Sequence, residues 1–148
     1  LFFDAEFNRT LFETCIRVLA RDVLEQTTDE NGVVHQRLRF RPTLEIPAPI
    51  RKLIGDGSYT ESGRFDPNEA KYVAEWRPDL GSDRFETRME VWTEPVGDRR
   101  CERIMVLDNT VKLFGLGSMI ERMLEEPQRK TMTQVADFNN RWIREHDL

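Results

Sequence analysis

Leu113-Phe114-Gly115-Leu116-Gly117-Ser118-Met119-Ile120-Glu121 joins two kinds of hydrophobic pattern. Before it, apolar residues come in short alternating runs; after it, they recur every three or four residues. From Leu116 to about His146 the chain reads as one long helix. Its apolar stripe is Leu116, Ile120, Met123, Leu124, Val135, Phe138 and Trp142. Glu121, Arg122, Glu125, Glu126, Arg129 and Lys130 form the wet side, with Glu125–Arg129 and Glu126–Lys130 at favourable i,i+4 spacing. Pro127 lacks an amide donor and meets the carbonyl of Met123, at a cost of ~3 kcal/mol in a regular interior. A kink or break is therefore expected there. Gly115-Leu116-Gly117 reads as a tight strand-to-helix turn, since the further glycine and the Lys-Ser/Thr of nucleotide loops are missing. Ser118 with Glu121 three residues on predicts a capping box.

Working back from the helix, strands are expected at roughly Arg99–Leu113, Asp83–Thr93, Lys71–Arg77 and Gly57–Asp66, joined by short Pro/Gly/Asp connections. Val33 to Pro42 alternates cleanly, Leu38 and Phe40 to one side and Arg37, Arg39 and Arg41 to the other. The Asn31-Gly32 loop joins it to a strand over Cys15–Gln26. Ile46-Pro47-Ala48-Pro49-Ile50 interrupts the series, and a short helix over Ile50–Ile54, with Ile50, Leu53 and Ile54 on its apolar face, is closed by Gly55. Leu1 to Phe12 has near-helical spacing, with Asp4 or Asn8 as interruption or cap. Strands first and one long helix last is an α+β order in a single domain. Short connections make the strands antiparallel neighbours.

The chain has 148 residues, 39% hydrophobic and 33% charged, which suits a globular core and not a disordered chain. Its net charge of −5 disfavours a nucleic-acid footprint; the arginines of Val33–Pro42 read as a solvated outer face. Cys15 and Cys101 make no disulfide framework and are expected as free thiols in or near the core, at the starts of two strands. No apolar run is long enough to span a membrane and no signal-peptide pattern appears, so a cytoplasmic setting is expected. The opening Leu1-Phe2-Phe3 reads as mid-element, which suggests upstream residues.

Chemistry is sparse. His35 belongs to the outer face with the arginines, His146 to the end of the last helix, and no Cys or His pair has zinc spacing. No nucleophile elbow is present. No metal or cofactor is expected. Polar residues on inward faces are more informative. Glu61 shares parity with Tyr59 and Phe65, Thr87 with Phe85 and Met89, and Asn109 with Met105 and Leu107. A carboxylate among aromatics is costly unless paired, and its pKa rises. It can equally meet an arginine or lie beyond the core, as an aromatic stripe can be plain core.

The segment Val111-Lys112-Leu113-Phe114-Gly115-Leu116-Gly117, then Ile120-Glu121 and a helix ending Arg141-Trp142-Ile143, resembles the START-like SRPBCC superfamily. Phe3-Asp4-Ala5-Glu6-Phe7-Asn8, Pro47 to Gly55 and Tyr59-Thr60-Glu61 resemble a bacterial domain of unknown function within it. The resemblance implies a helix-grip fold, a curved antiparallel sheet wrapped around the long helix, here without its usual first strand. It implies binding or carriage of an apolar small molecule, lipid or polyketide-like, in a cavity between sheet and helix. Leu38, Phe40, Tyr59, Glu61, Phe85, Thr87, Met89, Met105, Leu107, Asn109, Ile120, Met123, Leu124 and Phe138 are the expected cavity residues. Two alternatives stand beside it. One is a cyclase- or hydratase-type enzyme, for which Glu61, Thr87 and Asn109 must converge; the other is a protein-interaction module. An exposed sheet edge offers a route to a homodimer.

Overall fold

The computed structural model describes residues 3–43, 48, 51–52, 55–98, 100–115 and 117–146, the side chain of Met123 apart. Asp4 starts the first helix, α1 (Ala5–Leu11): its Oδ1 accepts the Phe7 N–H at 2.7 Å, satisfying one free donor of the first turn. A π-helical turn, Phe12–Ile16, follows directly and ends at Arg17, which takes a left-handed conformation with φ 54°. Six strands come next: β1 (Val18–Thr28), β2 (Val34–Pro42), β3 (Tyr59–Asp66), β4 (Lys71–Pro78), β5 (Phe85–Gly97) and β6 (Arg100–Val111). The chain closes with α2 (Gly117–Glu145). The fold is α+β, an open antiparallel sheet with a long C-terminal helix.

The strands pair in chain order, β1-β2-β3-β4-β5-β6, each antiparallel to the next. Side chains alternate across a sheet, so register decides which residues share a face. One row runs Val23, Leu38, Glu61, Trp76, Thr87, Asn109 across all six strands. A second begins Arg21, Phe40, Tyr59, and a third joins Gln36, Gly63, Ala74, Met89 and Leu107. These rows form the inner face. The outer face is wet, as the alternation of β2 requires: Arg39 meets Asp79 at 2.6 Å, Lys71 meets Glu90 at 2.7 Å, and exposed His35 lies 3.7 Å from Asp29.

The helices form the second layer, and the apolar core falls into three clusters. Phe7 and Leu11 of α1 pack on Val135 and Phe138 of α2. Phe85, Val111 and Ile120 pack where the last strand feeds α2, with Leu113 and Leu124 against them. Tyr72, Ala74, Met89 and Val91 pack with Phe65, Trp76, Met105 and Leu107, all from strands β3 to β6. Between layers, Asn109 Nδ2 donates to Gln128 Oε1 at 2.7 Å, and Gln128 Nε2 returns a bond to Asn109 Oδ1 at 3.2 Å. Thr87 Oγ1 adds a 2.7 Å bond to the same Asn109 oxygen. Asn109→Ala and Gln128→Ala are each expected to cost ~1 kcal/mol, and the double variant little more, because either removal breaks the same pair. Urea unfolding of the four proteins checks this; strict additivity would contradict it.

Several local expectations need correcting. The helical assignment of α2 runs unbroken through Pro127. Burial of Ile120, Val135 and Phe138 on either side of it outweighs the local cost. Glu121 does not complete a capping box; its Oε1 accepts the Val111 N–H at 3.0 Å and ties the helix start to β6. Glycine at position 117 is needed because a Cβ there would sit 2.5 Å from the Val111 carbonyl oxygen. Cys15 lies in the π-helical turn, since the helical path persists to Ile16 before Arg17 turns the chain into β1. Cys101, near the start of β6, is exposed rather than near the core. The expectations on Leu1, on Ile46, Pro47, Pro49, Ile50, Leu53 and Ile54, on Arg99, on Leu116 and on the Met123 side chain lie outside the described residues. At the end of that segment, the Gly55 N–H does bond the Arg51 carbonyl at 2.9 Å.

Candidate functional site

The inner face of β1 to β4, beside α1, carries the densest polar and aromatic chemistry of the protein. A ladder of rings crosses it. Phe12 of the π-helical turn meets Phe40 at 5.4 Å between centroids, Phe40 stacks on Tyr59 at 5.1 Å, and Tyr59 meets Trp76 at 5.4 Å. Each ring comes from a different element, so the ladder exists only once register has aligned the strands.

Glu61 is buried beside this ladder, 6% exposed. It accepts the Tyr72 hydroxyl on one oxygen and the Trp76 indole N–H, at 2.7 Å, on the other. The Tyr72 hydroxyl in turn accepts from Gln36 Nε2 at 2.7 Å. This chain of bonds satisfies a carboxyl group that burial would otherwise leave very costly. Burial pushes the Glu61 carboxyl above the usual carboxylate range; its two hydrogen bonds and the Arg21 charge pull the other way and do not cancel it. Burial, with the Glu61 charge, also pushes the Tyr59 and Tyr72 phenols well up. Gly63 makes the network possible. Tyr72 lies across it on the inner face, and a Cβ at Gly63 would fall 2.8 Å from Tyr72 Cε2 and closer still to Cζ and Oη.

Arg21 of β1 enters the same region. Its guanidinium lies over the Phe12 ring, 5.2 Å from the centroid. Its Nε is buried, with no hydrogen-bond partner among the described residues. Burial lowers its pKa from the ordinary arginine value, and the charges of Glu61 and Tyr72 partly offset this. Beside Arg21 a groove of about 450 Å³ opens between α1 and β1–β2, lined among others by Phe3, Asn8, Phe12, Val23 and Gln36. Phe3 rests edge-on against Phe65 at 5.4 Å, and Val23 is 54% exposed on the inner face. A second groove, about 550 Å³, lies across outer-face side chains such as Glu25, Arg37, Arg64, Glu75 and Arg88. Three of its charges pair with neighbours, Arg64 with Asp66, Glu75 with Arg77 and Arg88 with Glu90, as on a solvated surface.

Of the fourteen residues expected around one chamber, the thirteen whose side chains are described are distributed over several environments. Leu38, Phe40, Tyr59 and Glu61 lie on the inner face of β2 and β3, in or beside the ring ladder, and none of them lines the groove. Met89, Met105 and Leu107 belong to the central sheet cluster. Phe85, Ile120 and Leu124 close the seam between β6 and α2. Thr87 and Asn109 are occupied by each other and by Gln128. Phe138 packs on α1, 5.5 Å from Phe7, because the apolar stripe of α2 is shared between two neighbours. The proposed catalytic trio does not converge. Glu61 and Asn109 share a row but stand three strand spacings apart, roughly 14 Å along the sheet, with Trp76 and Thr87 between them.

Arg21, Gln36 and Phe12 were absent from those expectations. Gln36 shares parity with Leu38 and Phe40, a signal already present in the alternation of β2. Arg21 carried no such signal. Counting by twos from Glu25 and Thr27 puts it outside, but an irregularity at Leu24 shifts the register and turns Arg21 and Val23 inward.

A meander of antiparallel strands with one long terminal helix on its inner side defines this as an open-sheet α+β domain with a polar-aromatic inner face. Within that class, the chain belongs to the DUF2505 family, described as a protein of unknown function, whose model matches residues 1–143. No curated protein matches the chain. Among the described residues, no helix is long and apolar enough to cross a membrane, and no three His, Cys, Asp or Glu side chains cluster as a metal site.

Proposed function

We propose that the protein binds an apolar small molecule noncovalently, in a helix-grip domain of the START-like SRPBCC kind working in the cytoplasm. One observation carries this reading: the groove between α1 and β1–β2, whose apolar walls include Phe3, Phe12 and Val23 and whose inner end meets Arg21 and Gln36. Its volume of about 450 Å³ is in the usual range for a small-molecule site, and its walls are mixed: Phe3, Phe12, Leu19 and Val23 supply apolar surface, while Arg9, Glu13 and Arg21 supply charge. The occupant enters beside α1 rather than beneath the long helix. Burying its apolar surface contributes about 25 cal/mol per Å². Native mass spectrometry of delipidated protein after exposure to a cell lipid extract is expected to show a one-to-one adduct. Val23→Lys, at an exposed position, should abolish it without loss of fold. An adduct unaffected by Val23→Lys would place the site elsewhere, and no adduct at all would remove the reading.

The enzyme alternative has less support, because Glu61, Thr87 and Asn109 do not meet. The interaction alternative draws on Leu19, Val23 and Leu24, all about half exposed or more on edge strand β1. Register irregularities at Leu19 and Leu24 work against strand-to-strand dimerisation through this edge. Light scattering across a concentration series is expected to give a monomer; dimerisation abolished by Leu19→Lys would favour the interaction reading.

A further inference from the structure

Arg21 is poorly explained as a core residue. Its side chain is half-buried on the inner face, and its cation has no hydrogen-bonding carboxylate among the described residues. Glu61 acts on it only through space, while its two oxygens accept from Tyr72 and Trp76. Phe12 covers one face of the guanidinium plane. A planar fork of donors with one face on a ring and no acceptor at its edge is a half-built carboxylate site. Part of the desolvation is already in place at the buried Nε, which no acceptor among the described residues offsets. Around it stand Phe3, Phe12, Leu19 and Val23, with the charges of Arg9 and Glu13 elsewhere in the same groove lining.

We infer that the groove takes an acidic amphiphile, its carboxylate on the Arg21 guanidinium and its hydrocarbon chain along Phe3, Phe12 and Val23. This rests on the reading of the groove as a ligand site and adds the chemical class of the ligand. Gln36 also lines the groove and spends one amide N–H on Tyr72; its other N–H is neutral, so Arg21 is the charged anchoring group. The neighbouring Glu61 carboxyl does not repel the arriving anion when it holds its proton, a state that its burial favours.

The test compares two probes of equal chain length, dodecanoate and dodecanol, below their aggregation concentrations. Each is titrated calorimetrically into the delipidated full chain and into Arg21→Gln and Arg21→Lys. Dodecanoate is expected to bind the parent at least roughly tenfold more tightly than dodecanol, the effect of a charge-assisted hydrogen bond. Arg21→Gln should erase that preference while leaving dodecanol affinity within about twofold, and Arg21→Lys should keep part of it. Equal affinity of the parent for acid and alcohol overturns the carboxylate anchor and leaves the apolar groove standing. So does a loss in Arg21→Gln that is the same for both probes. Failure of both probes to bind the parent overturns the groove as well. The parent comparison needs no variant, so it decides the matter even if Arg21→Gln misfolds.

Discussion

Gly63→Ala is expected to destabilise the protein by ~2–5 kcal/mol, read as a lower urea midpoint at unchanged slope. The added methyl would occupy the space of the Tyr72 ring and hydroxyl. Tyr72 is among the most completely buried side chains and has no free volume to retreat into. Overpacking of this kind costs about 1–3 kcal/mol. Moving the hydroxyl also breaks its bonds to Glu61 and Gln36, and a buried polar group left unpaired costs ~1–3 kcal/mol more. The gain from a less flexible unfolded chain, about 0.4–1 kcal/mol for glycine to alanine, is too small to compensate. Tyr72→Leu should partly rescue Gly63→Ala, since it removes the obstacle, and the pair should be strongly non-additive. A stability within ~0.5 kcal/mol of the parent for Gly63→Ala alone would mean that Tyr72 does not lie across this position.

Glu61→Gln should change the response of stability to pH. In the folded protein the Glu61 carboxyl holds its proton more tightly than an ordinary glutamate, mainly because it is buried. From the ordinary value of 4.5 upward, the native state therefore binds more protons at this site than the unfolded chain. Stability contributed by Glu61 is complete below that value and is lost as pH rises through the raised folded pKa. Glutamine keeps an acceptor for Tyr72 or Trp76 and has no proton to lose. Relative to the parent, Glu61→Gln is expected to be nearly neutral at low pH and to become progressively more stable as pH rises. Asp29, Asp56 and Glu90 have lowered pKa values and act in the opposite direction, but they are common to both proteins and cancel in the difference. Glu61→Ala should be destabilised at every pH, because two buried donors lose their acceptor at ~1–3 kcal/mol each. Denaturant unfolding across a pH series checks both variants. A pH-independent gap between Glu61→Gln and the parent, or one that narrows with rising pH, would show that Glu61 is ionised at no cost.

The inward placement of Glu61 was legible because Tyr59 lies two residues before it and Phe65 four after it, on the same parity, and the sheet enforces a period of two. The wet outer face of β2 was legible for the same reason. Arg21 was not, because an irregularity at Leu24 inverts the parity of β1 between it and the second irregularity at Leu19. Neither was the role of Tyr72, whose hydroxyl reaches Glu61 eleven positions away and Gln36 thirty-six positions away. The apolar stripe of α2 marks which side of the helix is buried, but not against what: Ile120 faces the sheet and Phe138 faces α1. The single chamber expected under the helix depended on that missing information.

Local periodicity by itself determined the order of the strands and the long terminal helix, and the buried face of the regular ones such as β2 and β3, because hydrophobic spacing follows backbone geometry within a few residues. Tertiary structure decided which buried faces meet, where Glu61 finds its donors, and that the groove lies beside α1 with Arg21 at its inner end. Those outcomes depend on register shifts and packing between segments far apart in the chain, and no local spacing encodes them.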